Sequence, residues 1–219
     1  MSLFIIIFIS YLLGSLPFGY IITKISTKKN ILEIGWRKTS GSNVFKNAGK
    51  WQGILTGIFD VLKGFLAVKL AQNFGFSSLT QALCGASAVL GHNWSIFLKF
   101  AGGRGIGTFI GAALALSPKI LGLSLIPLLL LATIWNASIG TILFLLTALI
   151  LGRYFGQSGI SFLTLFSLLP IFVKRLSPIK EIFPINKKLA LIRNRLIFDN
   201  DELCLDLRIK RIIKKLTPH

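Results

Sequence analysis

The chain has 219 residues, 53% of them hydrophobic, with a mean hydropathy of +0.73 and a formal net charge of +18. Its apolar residues form runs of 15 to 20 almost free of charge, which excludes an ordinary soluble core and matches a hydrocarbon layer roughly 30 Å thick. The cations do not point to nucleic acid: of 25 Lys and Arg, seven lie between Lys24 and Lys50 and 12 from Lys174 onward, both groups flanking apolar runs as loops beside anionic lipid do.

Seven apolar segments read as spans of an all-α, polytopic membrane bundle: about 3–22, 54–74, 79–98, 105–117, 119–135, 138–152 and 158–173. The first has no basic n-region and no small-residue cleavage site, and its run is too long for a signal peptide. It is expected to remain as a span, with Gly14, Pro17 and Gly19 serving packing or a kink. The fourth holds only about 13 residues, or roughly 20 Å of helix, so tilting or the Ser117-Pro118 turn must complete it. With the N-terminus outside, the inner segments carry 21 Lys and Arg and the outer ones two. That asymmetry sets the orientation as N-terminus out and C-terminus in. Without the fourth span, the tail and the 24–50 loop would face opposite sides.

Several polar residues stand out along this path. In the loop from Asn30 to Gly53, the short donors Thr39, Ser40, Ser42 and Asn43 sit among Arg37, Lys38, Lys46 and Lys50, as one wall of an anion pocket or as a basic loop obeying the orientation rule. Asp60 and Lys63 are three apart and share a helix face, which reads as a structural ion pair at membrane depth. Lys69 is expected to snorkel outward. Cys84 and Cys204 fall in different environments, so no disulfide is expected.

The most informative stretch runs from Gly91 to Thr108. Its glycines at 102, 103, 105 and 107 bring backbone N–H groups close to a ligand, and Arg104 adds a planar cationic fork suited to phosphate. The stretch feeds the fourth span, whose N-terminus faces the cytoplasm in this topology, so amides, dipole and arginine converge there, beside His92. Further on, Asn136 and Ser138 open the sixth span, where capping is their simplest role. The chain divides into a membrane domain, 1–173, and a basic cytoplasmic tail, 174–219. Asp199-Asn200-Asp201-Glu202 reads as a helix start. From there an amphipathic helix near 201–216 presents apolar and basic faces, to lie on anionic membrane lipid or to pack on a neighbour. No HExxH, no Cys/His metal set and no Gly-x-Ser-x-Gly elbow is present.

Over roughly residues 1–155 the sequence resembles the bacterial membrane glycerol-3-phosphate acyltransferases that use acyl phosphate, the PlsY type. The likeness rests on Tyr11 to Gly19, on Ser42-Asn43-Val44 followed by Gly49-Lys50, on Asp60-Val61-Leu62-Lys63-Gly64, and above all on 91–108. It implies transfer of a fatty acyl group from acyl phosphate to the 1-position of glycerol 3-phosphate in a bacterial inner membrane, with no metal or cofactor. It assigns catalysis to Ser138, Lys46 and Arg104. Substrate and phosphate binding fall to Ser42, Asn43, His92, Gly102, Gly103, Gly105 and Thr108. Arg104 stands where the family usually has lysine, Lys46 where it has arginine, and Trp36-Arg37-Lys38 where it has Ser-Gly-Asn. The third motif's histidine has no counterpart, and Lys174 or Arg175 is the available substitute.

The residues also admit a non-catalytic protein that binds a phosphate-bearing lipid precursor, or an organic-anion transporter. Nearly featureless fifth to seventh spans count against transport.

Overall fold

In the computed structural model, which describes residues 2–177, 182 and 188–199, Pro17 divides the first apolar run into α1 (Leu3–Ser15) and α2 (Phe18–Thr27). Proline has no N–H for the helical ladder, and its ring collides with the preceding turn. The predicted span 3–22 is thus a broken helix that reaches Thr27. At the break, the Leu16 carbonyl accepts a hydrogen bond from Lys63 Nζ at 3.2 Å. After a loop come the short α3 (Gly41–Asn47), α4 (Lys50–Asn73), α5 (Ser78–Asn93) and a 3-10 turn at Ile96–Leu98. The third span therefore ends as an α-helix at Asn93 and not at 98. There the chain bends into the glycine loop, through left-handed φ at Lys99 and Phe100.

α6 (Ile106–Leu116), α7 (Pro118–Ile134), α8 (Ala137–Tyr154), α9 (Ser158–Arg175) and α10 (Lys188–Phe198) follow. Pro118 opens α7 at a position where its missing N–H costs nothing. Asn136 caps α8, its side chain accepting from Ser138 N at 2.7 Å. No strand occurs among the described residues. The unit Leu3–Thr27, Ala137–Tyr154 and Ser158–Arg175 are each long and apolar enough to cross a membrane, while Ile106–Leu116 and Pro118–Ile134 are apolar but shorter. Large apolar side chains such as Phe4, Leu129, Ile150 and Leu169 project outward, a surface that lipid accepts and water does not.

Small residues let the helices approach backbone to backbone. A Cβ on Gly14 or Gly91 would strike the backbone of the facing helix in the α1–α5 pair, and one on Gly64 or Gly111 would do so between α4 and α6. The core centres on Phe109 and Phe144, edge to face at 5.5 Å, with Leu145, Leu163 and Ile171 around them. Lys69 is exposed as expected, over the Phe65 ring, and Cys84 is buried and free.

Of the cluster expected to start a helix, Asp199 alone lies among the described residues, and it ends the preceding helix. Its N–H donates to Arg195 O at 3.0 Å and its φ is +50°, so it closes α10. Leu191 and Phe198 bury one side of α10, which packs on α8 and α9, and this packing brings the Asp199 carboxylate to its cations. The amphipathic helix expected near 201–216, like Cys204, lies outside the described residues.

Candidate functional site

A cavity of about 530 Å³ opens where α3, α4, α6, α8 and α9 meet. Ser42, Lys46, His92, Arg104, Gly105 and Ser138, all singled out from sequence, line it together with Asp60, Arg175 and Asp199. The first turns of α6 and α8 border it, at Gly105–Gly107 and at Ala137-Ser138. First-turn N–H groups have no intrahelical acceptor and carry the positive end of the dipole, so both helices favour an anion in this space. Gly105 has φ +81°, and a Cβ there would come within 2.6 Å of Asn93 Oδ1, so the turn into α6 needs glycine.

The rest of the glycine loop backs the cavity and does not line it. Gly103 N donates to His92 O at 3.0 Å, and Thr39 N donates to Gly102 O at 3.4 Å, which ties the 28–40 loop to the glycine loop. A Cβ on Gly103 would clash with the Nε2 edge of the His92 ring. That ring is held from its other side, Nδ1 lying 3.2 Å from Asp60 Oδ1, while the same oxygen is 2.9 Å from Lys63 Nζ. The expected Asp60–Lys63 pair is present, but it is a three-part cluster that anchors His92.

Asn43 and Thr108 also stand behind the wall. Asn43 Nδ2 donates to Lys38 O at 2.8 Å and Ile34 O at 3.3 Å, and its Oδ1 accepts from Trp36 N at 2.9 Å. It therefore shapes the loop that presents Trp36 and Lys38. Thr108 is fully buried, and its Oγ1 has no hydrogen-bond partner among the described residues.

Three sets of contacts in the site were not foreseen in the sequence, although Arg175 itself was named there as a substitute for the missing histidine. The Trp36 ring carries two cations, Lys46 Nζ at 4.5 Å and Arg104 Cζ at 4.8 Å from its centroid. Asp199 lies 3.4 Å from Lys38 Nζ through Oδ1 and pairs with Arg104 Nε through Oδ2. Arg175 donates to Ser138 O at 3.1 Å and to Leu196 O at 2.7 Å, joining α9 to α8 and α10. The sequence signal for Asp199 is its rarity, as one of only seven acidic residues in the chain. Burial lowers Lys38 to about 8, against Asp199, which favours the charged form, and with Arg104 adding to the fall. Burial also pulls Arg104 down from its usual range, again opposed by Asp199.

From this cavity, sharing Ile54 and Gly57 with it, an apolar groove of about 570 Å³ follows α4 and α6 past Ile58, Val61, Leu62, Phe65 and Leu114. A chamber lined by cations thus adjoins an apolar trough. Among the described residues, no three His, Cys, Asp or Glu side chains gather as a metal set.

The family model for glycerol-3-phosphate acyltransferase matches residues 4–184. The glycerol-3-phosphate acyltransferase of Prochlorococcus marinus strain MIT 9312 is 44% identical over 116 residues, 53% of this chain and 59% of that protein. The chain thus spans about 59% of the length of that relative. The homologue from strain MIT 9301 is 37% identical over 169 residues, 77% of this chain and 76% of its own length. Crystal structures of PlsY (YgiH), an integral membrane glycerol 3-phosphate acyltransferase, superpose with TM-scores of 0.73 in the glycerol 3-phosphate form and 0.71 in the lysophosphatidic acid form. Both are 27% identical to this chain and cover 84% of it and 93% of PlsY.

Proposed function

This chain belongs to the glycerol-3-phosphate acyltransferase family, and we propose that it transfers a fatty acyl group from acyl phosphate to the 1-hydroxyl of glycerol 3-phosphate, giving lysophosphatidic acid. The observation that carries this reading is the meeting of the α6 and α8 N-termini with Arg104, Lys46 and Arg175 in one cavity that adjoins an apolar groove. Fixed cations and backbone amides suit phosphate, and the groove suits a fatty chain.

An acyl phosphate is already activated, so the protein's task is to hold two phosphates and bring one hydroxyl to one carbonyl carbon. In this reading the glycerol phosphate sits against Arg104, Gly105 and the first turn of α6, with Ser42 and Lys46 opposite. The acyl chain lies along Ile58, Val61 and Phe65. The 1-hydroxyl oxygen bonds to the carbonyl carbon, the bond from that carbon to the phosphate oxygen breaks, and the hydroxyl proton leaves with inorganic phosphate. Lys46 and Ser138 stabilise charge building on the leaving phosphate and the carbonyl oxygen. His92 supports the phosphate loop from below, while Asn43, Gly102, Gly103 and Thr108 hold the walls in place.

The proposed topology is seven spans with the N-terminus outside. It sets the cavity at the cytoplasmic face of a bacterial inner membrane, with residues 174–219 as a tail against anionic lipid. Purified protein in detergent, given acyl phosphate and glycerol 3-phosphate, is expected to release lysophosphatidic acid. Arg104→Ala is expected to lower kcat/KM on the order of 10- to 100-fold, as loss of a charge-assisted donor does. No product from the wild type, or an unchanged rate in Arg104→Ala, refutes the assignment.

A further inference from the structure

We infer that Asp199, from the chain's C-terminal segment, is a positioning residue for Arg104, holding its guanidinium with its Nη edge toward the cavity. The inference rests on the acyltransferase reading for its substrate, but not for its geometry.

Arg104 enters the cavity from a loop, with no helix to limit its rotamers. Two contacts limit them instead. Its guanidinium carbon stands 4.8 Å from the centroid of the Trp36 ring, and its Nε flank pairs with Asp199. Nε is buried against the Asp199 carboxylate, and no Nη hydrogen bond is made among the described residues. The two-pronged edge that binds phosphate bidentately is therefore left open.

Asp199 is itself firmly held. Its side chain is 4% exposed, and Lys38 Nζ takes the other carboxylate oxygen at 3.4 Å. Its backbone ends α10. α10 is pinned to α9 by Arg175 donating to Leu196 O and by Arg195 donating to Leu176 O at 3.1 Å. Because Lys38 balances the carboxylate, Asp199 adds little net repulsion toward an arriving phosphate. Because the contact is at Nε, it does not occupy the edge a phosphate uses. A carboxylate competing for the phosphate position would instead sit on the Nη edge. The tail thus contributes to the site by orientation and without touching substrate.

The test uses the full chain in detergent, with steady-state kinetics in glycerol 3-phosphate and equilibrium binding of inorganic phosphate. Asp199→Asn is expected to raise KM for glycerol 3-phosphate about tenfold, to change kcat much less, and to weaken phosphate binding in parallel. Asp199→Glu is expected to recover part of the loss. In the Arg104→Ala background, Asp199→Asn is expected to add nothing further, which a purely structural role would not predict. An unchanged or lowered KM, or penalties that simply add, overturns the inference. If phosphate binds the wild type and Asp199→Asn weakens it, yet no acyl transfer is seen, the acyltransferase reading fails while the inference stands. Absence of phosphate binding by the wild type sinks both.

Discussion

His92 and Asp60 lie 32 residues apart in the chain, on α5 and α4, and meet at 3.2 Å between Nδ1 and Oδ1. The same carboxylate oxygen faces Lys63 at 2.9 Å, and all three side chains are buried. Removing the one anion strands a buried cation, which costs roughly 3–5 kcal/mol. Asp60→Asn is therefore expected to lower the thermal unfolding temperature in detergent sharply. Asp60→Asn/Lys63→Met is expected to regain part of that loss, because the uncompensated charge is gone. A double variant no more stable than the single one refutes the coupling.

Gly103 rests on the Nε2 edge of the same histidine. The ring cannot retreat, since Asp60 holds its far side, so a methyl group at 103 must move the loop. Gly103→Ala is expected to destabilise by about 1–3 kcal/mol through overpacking and to lose acyl-transfer activity as Arg104 shifts with its neighbour. His92→Ala/Gly103→Ala removes the obstacle and is expected to regain stability over Gly103→Ala alone. Unfolding midpoints of the three variants decide it.

An all-helical, apolar chain was legible because a bilayer demands long apolar runs, whereas Pro17, expected to serve packing or a kink, breaks what the sequence offered as one span, 3–22. The end of α5 at Asn93 was not legible, since it depends on the turn into the glycine loop. Arg104 and Gly105 were recognisable because cation and glycine lie side by side in the chain. The facing of Asn43 and Thr108 is tertiary: both are polar residues near the site, and packing turned them away from the cavity. Asp199 was legible only as an acidic residue near a helix end. Its partner Lys38 is 161 positions away, and no local pattern encodes such a pairing. The unusual Trp36 and Lys38 could be seen in the sequence, but their shared service to Arg104 could not.

Gly57 lines both the cavity and the apolar groove, and a Cβ there would meet nothing within 4 Å. Glycine inside a helix costs about 0.5–1 kcal/mol relative to alanine, so its retention is not required by packing. Gly57→Leu is expected to leave the unfolding midpoint unchanged or higher. It is also expected to slow transfer from a long-chain acyl phosphate roughly tenfold by misplacing the chain at the junction. A short-chain donor, which does not fill the groove, is expected to be spared. Equal losses for both donors refute the path.

Lys38 gives the site a pH dependence of definite sign. Burial holds its ammonium at about 8, below the ordinary 10.5. Below pH 8 it is charged and balances Asp199; as pH rises through 8 it loses its proton, and the net positive charge beside the cavity falls by one, leaving Arg104 as the carboxylate's paired cation. A phosphate monoester has completed its second ionisation well below this range, near pH 6, so a limb at pH 8 belongs to the protein. Affinity for glycerol 3-phosphate is expected to fall above pH 8 in the wild type, and this limb is expected to be absent in Lys38→Met. Stability moves the other way. Between pH 8 and 10.5 the unfolded lysine binds a proton that the folded one has released, so the Lys38 contribution to unfolding free energy rises with pH. Phosphate binding and urea unfolding of both proteins from pH 7 to 10 measure the two trends, and a wild-type affinity that stays flat across pH 8 removes Lys38 from the site's electrostatics.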